Sequence, residues 1–274
     1  MPELPEVETV CRGLAKYLTG QRILNTTVRR RDLRLPIPAT LEAALKNRTI
    51  RSFSRRAKYI LIHLDNKDVL IVHLGMSGSM VLKKPATQEF RTHDHVVMSF
   101  ANGMQMLFHD PRRFGLMLLA NESALAQHKL FAALGPEPLD ASWNGERLYK
   151  VLQASSAPVK SVIMDQGKVV GVGNIYACEA LFLAKIHPSR RADKVSKKEA
   201  GALAADIKKV LNAAIKSGGS TLRDYVRSSG DAGYFQHHFN VYGRQKLPCV
   251  VCKNPISVIK QSGRSTFFCG YCQK

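Results

Sequence analysis

Residues 58–74 read KYILIHLDNKDVLIVHL, two short runs rich in Ile, Val, Leu and Tyr on either side of the polar turn DNKD. Runs of about six such residues suit strands better than helices, because β-branched and aromatic side chains fit a pleated, half-buried surface. The same texture recurs in RILNTTVRR (22–30), HVVMSF (95–100), MQMLF (104–108) and GLMLLA (115–120), each closed by turn residues. Upstream, Leu4, Val7, Val10, Leu14 and Leu18 repeat at helical spacing. The pattern predicts a β-sandwich with an N-terminal helix over 1–134.

The texture changes at the turn-rich LGPEPLD (134–140). Beyond it the spacing is helical in GERLYKVLQA (145–154), VKSVIMDQ (159–166), NIYACEALFLAKI (174–186) and SKKEAGALAADIKKVLNAAIKS (196–217). A helical domain is therefore expected over 135–238. It contains SGGSTLRDYVRSSGDAGYF (217–235), whose glycines and serines predict partial mobility. Residues 239–274 form the closing segment, and the fold class is α+β.

Of 274 residues, 41 are Lys or Arg and 21 are Asp or Glu, a formal charge of +20; 45% are hydrophobic. That apolar content excludes wholesale disorder, and the length allows two domains or one large one. A basic surface selects a polyanion: nucleic acid, anionic membrane or an acidic protein. No apolar run approaches the roughly 18 residues of a spanning helix, and the acidic start is unlike a signal region, so a membrane is not expected. The basic runs VRRRDLR, RSFSRRAK, DPRRF, HPSRR, KVSKKE and VYGRQK are spread along the chain. That distribution points to nucleic acid, and the weakness of the membrane reading makes a soluble cytoplasmic protein the expectation.

Cys11 and Cys178 stand alone in helical patterns and read as small buried side chains. Cys249, Cys252, Cys269 and Cys272 form two CxxC pairs, with 16 residues between Cys252 and Cys269. Two such knuckles on a hairpin offer four thiolates to one tetrahedral Zn²⁺. Nothing indicates export to an oxidising compartment, which argues against disulfides.

Two further stretches carry chemistry. In VVGVGNIYACEA, glycines run into a helix start near Asn174, where free N–H groups suit a phosphate. The opening MPELPEVETV puts Pro5 and three glutamates in a helix start, and also puts Pro2 directly behind Met1. If Met1 is removed, Pro2 becomes a secondary amine beside the carboxylate of Glu3.

These pieces, with RRAKYILIHL, HLGMSGSM, HDHVVMSF, DPRRFG, LGPEPL, GYFQ, VYGR and GRSTFFCGYC, occur in order along the whole chain. The sequence resembles the bacterial formamidopyrimidine-DNA glycosylases. The resemblance implies an N-terminal β-sandwich, a helical domain with a helix-two-turn-helix element, and a C-terminal zinc-finger β-hairpin over 239–274, with DNA in the cleft. It implies base excision repair: removal of 8-oxoguanine and formamidopyrimidines, then strand cleavage at the abasic site by β,δ-elimination. It implies double-stranded DNA as partner, one structural Zn²⁺, a monomer and a bacterial, nucleoid-associated protein.

By the same resemblance Pro2 is the nucleophile, Glu3 the acid at the sugar ring oxygen, Lys58 the β-elimination lysine and Arg264 the δ-elimination arginine. An always-charged guanidinium suits phosphate neutralisation better than proton donation. Glu3 must stay protonated, which burial would favour. Met76, Arg112 and Phe114 match residues that fill the void left by a flipped nucleotide. Without the resemblance, Met76 and Phe114 read as core. His73, His93, Arg112, Lys160, Asn174 and Tyr242 match DNA-contacting positions, and 217–235 matches a loop that closes over the lesion.

The chain departs from its relatives at Ser155 and Ser156, where some carry lysines, so a contact there is lost or moved to Lys160. Gly263 replaces a bulkier residue and is expected to loosen the finger tip. Competing readings are an endonuclease VIII-type enzyme for oxidised pyrimidines, a non-enzymatic zinc-ribbon protein and an N-terminal-proline tautomerase. MPELPEVE with Met76, Arg112 and Phe114 favours the purine branch. The small tautomerase fold leaves the basic field and the finger unexplained.

Overall fold

The computed structural model describes residues 2–83, 89–219 and 239–274. The described residues divide into two compact units, one of 2–132 with 217–219 and one of 133–216 with 239–274. The four-cysteine segment therefore packs with the helical region as one unit. Most of the expected lesion loop lies outside the described residues.

The first unit opens with α1 (Leu4–Leu18), whose start is fixed by Pro5 in the first turn and by the Glu6 carboxylate, which accepts the Glu3 N–H at 2.8 Å. Leu4, Val7, Val10, Cys11, Leu14 and Leu18 form its buried face. Then follow β1 (Ile23–Val28), α2 (Leu41–Leu45), β2 (Ile50–Arg56), β3 (Tyr59–Leu64) and β4 (Asp68–His73). After them come β5 (Ser79–Lys83), β6 (Asp94–Phe100), β7 (Gln105–His109) and β8 (Leu116–Asn121). Two four-stranded antiparallel sheets result, in the orders β1-β6-β7-β5 and β2-β3-β4-β8. One apolar core takes residues from both sheets and from α1, as the sandwich reading requires.

The stretch 58–74 supplies β3 and β4, paired in register from Tyr59 with His73 to His63 with Val69. Three elements escaped the sequence reading. The arginine- and serine-rich β2 reads as a basic run because it is an edge strand whose side chains stay partly in solvent. The other two, α2 and β5, are each five residues long.

The second unit holds α3 (Gly145–Gln153), α4 (Val159–Met164), α5 (Asn174–Leu183) and α6 (Lys197–Lys216), then the hairpin β9 (Ser257–Gln261) and β10 (Arg264–Phe268). Every residue from Ile175 to Phe182 is buried, so α5 is a central helix, apolar on all sides except at Glu179. Cys178 and Phe182 of α5 pack with Val241, Ile256 and the cysteines of the closing segment. Among the described residues no helix is long and apolar enough to cross a membrane.

Candidate active site

The contacts of α1 place the first reactive candidates. Cys11 donates from Sγ to the Ser54 carbonyl at 3.5 Å, and one step nearer the N-terminus Glu8 accepts the Arg55 Nε–H at 2.8 Å. Moving toward the start of α1 thus means moving up β2 toward its turn with β3. Arg55 also donates to the Ala57 carbonyl at 2.8 Å, within that two-residue turn of Ala57 and Lys58. Arg55 thus links Glu8 of α1 to the turn that carries Lys58. Burial alone would raise the Glu8 carboxyl, but the guanidiniums of Arg12 and Arg55 hold it below the ordinary range, so the strut is charged.

All three residues are covered: Pro2 is buried, Glu3 is 2% exposed and Lys58 is 6% exposed. A lysine so covered is not the surface residue its position at a strand start would suggest. Ala57 has φ 51°, the left-handed value that a tight β-hairpin asks of its first turn residue.

At the end of β4, His73 accepts the Gly75 N–H through Nδ1 at 2.9 Å and lies 4.8 Å from Tyr59, ring centre to ring centre. Burial first, then the charges of Lys58 and Arg34, bring its pKa down to about 4. The imidazole is neutral at pH 7 with its proton on Nε2, a donor without charge beside Lys58.

Two loops follow. Met76 is half-buried, Arg112 is exposed, and Phe114 is 46% exposed with the Arg112 guanidinium 4.9 Å above its ring. Phe114 is thus no core residue but an exposed ring with a guanidinium stacked on it. His93 is exposed next to β6, with its ring 5.9 Å from His109 and 6.1 Å from His95.

In the second unit, Lys160 is 2% exposed, and its ammonium donates to Asn174 Oδ1 and Thr266 Oγ1, each at 2.6 Å. Asn174, the first residue of α5, donates from Nδ2 to the Ser265 carbonyl at 2.9 Å. Lys160 thus ties α4, α5 and β10 together. Arg264 is exposed and lines a cavity of about 170 Å³ with Lys160, Ser161, Met164, Asp165 and Gln261. It follows the turn of Ser262 (φ 46°) and Gly263 (φ 76°), where the left-handed backbone favours glycine. Tyr242 is half-buried between the rings of Phe239 and Phe267, at 5.7 and 5.0 Å.

Sequence reasoning missed Glu179, 2% exposed on α5. It accepts N–H groups from Asn240, Val241 and Tyr242 and the Asn240 side-chain amide, at 2.8 to 3.0 Å. A lone acid within an apolar helix was the available signal.

The four Sγ atoms of Cys249, Cys252, Cys269 and Cys272 lie within 4.8 Å of one another. Zn–S bonds of about 2.3 Å in a tetrahedron set sulfur atoms about 3.8 Å apart. The cluster therefore fits Zn²⁺. No other group of three or more metal-ligating side chains occurs among the described residues.

A sandwich headed by a buried Pro-Glu pair, a helical unit and a four-cysteine hairpin together define a class of zinc-finger DNA glycosylases. The chain matches the formamidopyrimidine-DNA glycosylase N-terminal domain over residues 1–117, the H2TH domain of the same enzymes over 134–226, and the zinc finger found in FPG and IleRS over 246–274. It is 46% identical to the formamidopyrimidine-DNA glycosylase of Dinoroseobacter shibae, with all of both chains covered. With that of Legionella pneumophila it shares 47% identity, covering all of this chain and 98% of the other. A Lactococcus lactis Fpg solved with abasic-site DNA superposes with a TM-score of 0.91 at 34% identity, covering 99% of each chain. The chain belongs to the formamidopyrimidine-DNA glycosylase family.

Proposed function

We propose that the chain removes oxidised purines, 8-oxoguanine and formamidopyrimidines, from double-stranded DNA and then cleaves the strand at the abasic site. The observation that carries this reading is the burial of Pro2, Glu3 and Lys58, three residues of reactive type, within the first unit. The family membership and the abasic-site DNA bound to the Lactococcus lactis relative support the substrate class.

After loss of Met1, the Pro2 amine attacks the sugar C1′ while the Glu3 carboxyl protonates the ring oxygen. The ring opens, the base leaves, and an iminium joins Pro2 to C1′. The iminium acidifies the C2′ protons; removal of one expels the 3′ phosphate, and a second elimination expels the 5′ phosphate. Lys58 exchanges protons and holds a phosphate. His73 offers its neutral Nε2–H to another, and Arg264 neutralises the phosphate at its site. Met76, Arg112 and Phe114 fill the space left by the extruded nucleotide, and His93, Asn174 and Tyr242 contact the strand. Lys160 acts through Asn174, which it holds.

Cys249, Cys252, Cys269 and Cys272 hold one Zn²⁺, whose role is structural: it fixes the hairpin that presents Arg264. The protein works as a monomer in the cytoplasm. The test compares the wild type and Glu3→Gln on 8-oxoguanine, an oxidised pyrimidine and a preformed abasic site. The wild type should prefer the purine, and the variant should lose base release far more than abasic-site cleavage. Native-rate release by Glu3→Gln removes the acid assignment, and a preference for the pyrimidine moves the chain to the endonuclease VIII type.

A further inference from the structure

The motifs HLGMSG (73–78) and DPRRFG (110–115) each supply residues to the proposed wedge, yet that role leaves Gly75, Ser77, Asp110 and Gly115 unexplained. Asp110 is 0% exposed, and a buried carboxylate must have its oxygens bonded. Its Oδ1 accepts the Ser77 hydroxyl at 2.8 Å, and its Oδ2 accepts the Gly115 N–H at 2.8 Å. The Ser77 oxygen in turn accepts the Arg112 N–H at 3.3 Å. From β6, the His95 Nε2–H donates to the Asp110 carbonyl at 2.8 Å. One side chain thus joins the loop that carries Met76 to both flanks of Arg112 and Phe114.

The two glycines let these loops touch through their backbones. Gly75 has φ 65°, and a Cβ there would lie 2.4 Å from the carbonyl carbon of Phe114. A Cβ on Gly115 would lie 2.6 Å from the Phe108 ring and 2.9 Å from the His73 carbonyl oxygen. Arg113 (φ 58°) reaches away to Asp32 at 2.6 Å while Arg112 stacks on Phe114.

We propose that Asp110 is a positioning residue that locks these two loops together, so that Met76, Arg112 and Phe114 enter the duplex as one preset wedge. The proposal rests on the void-filling reading of those three residues. A wedge that must separate stacked bases works best when its parts are already ordered, because ordering them at insertion opposes binding.

The experiment uses the full chain in single turnover on a lesion duplex with 2-aminopurine beside the lesion, and on an abasic site in single-stranded DNA. Asp110→Ala should slow both the 2-aminopurine signal and lesion excision by about tenfold to a hundredfold, the scale of a misplacement of about 1 Å. Single-strand cleavage needs no wedge and should stay within about twofold. Asp110→Asn should behave like the wild type, since its oxygen can accept from Gly115 and its amide can donate to Ser77. In a Phe114→Ala background, Asp110→Ala should cost much less than it does alone. If Asp110→Ala fails to fold, Ser77→Ala removes one link and carries the same comparisons.

Equal losses on both substrates, an Asp110→Asn variant as slow as Asp110→Ala, or undiminished losses without Phe114 would each overturn the proposal. Wild-type excision that Asp110→Ala leaves unchanged removes the clamp alone. A wild type that neither excises the lesion nor changes the 2-aminopurine signal removes wedge and clamp together.

Discussion

His73 illustrates what one residue contributes and how little of it the sequence displays. The motif marks it as a DNA contact, but its neutrality comes from burial and from the nearby charges of Lys58 and Arg34, which only the fold assembles. The unfolded chain binds a proton at this imidazole near pH 6.5, whereas the folded protein waits until about pH 4. His73 therefore adds nothing to the pH dependence above about 6.5 and destabilises the fold progressively as pH falls toward 4, by up to about 3 kcal/mol. Denaturant unfolding at about pH 7 and about pH 5 should show a smaller acid loss for His73→Gln than for the wild type. Equal losses would place the effect elsewhere. Pro2 and Glu3 stood out as an amine and an acid side by side, but the opening alone reads equally as a helix start, and their roles come from the family resemblance. The contacts of Asp110 were not readable, because its partner Ser77 is brought to it by the pairing of β5 with β7.

At the scale of elements, the helices and strands with long or strongly patterned runs were readable, and the hairpin of the closing segment followed from cysteine spacing. Pairing orders such as β1-β6-β7-β5 were not, since neighbours come from distant parts of the chain. Lys160 shows the same limit: the motif match marks it as a DNA contact, yet it is buried and bonds Asn174 of α5 and Thr266 of β10. Lys160→Met should leave both oxygens without their shared donor and destabilise the protein by about 1–3 kcal/mol, measurable by thermal unfolding. A change within error would mean that the link is replaced by water. For the hairpin, Cys252→Ser or chelation should release the metal, unfold the segment and weaken DNA binding while α1 and the two sheets stay folded. Active protein without zinc by elemental analysis would contradict the metal assignment.

At the scale of the whole molecule, the charge of +20 predicts a lesion-blind attachment to phosphates on which excision is built. Affinity for undamaged duplex should fall steeply with salt, along a straight line in log–log form, while the ratio of lesion to undamaged binding changes little. A salt-independent affinity would mean that the basic surface serves another partner. The composition made that field visible at once, but it could not show that the chain folds into two units or that the four-cysteine segment packs on α5. Those facts depend on which apolar faces meet. The most direct test of the central claim is borohydride reduction of the protein with 8-oxoguanine duplex, followed by mass analysis of the cross-linked peptide. A Pro2 nucleophile freed of Met1 should give a covalent adduct on the N-terminal peptide that Pro2 acetylation abolishes. No adduct during active base release, or an adduct on Lys58 with Met1 retained, would contradict it.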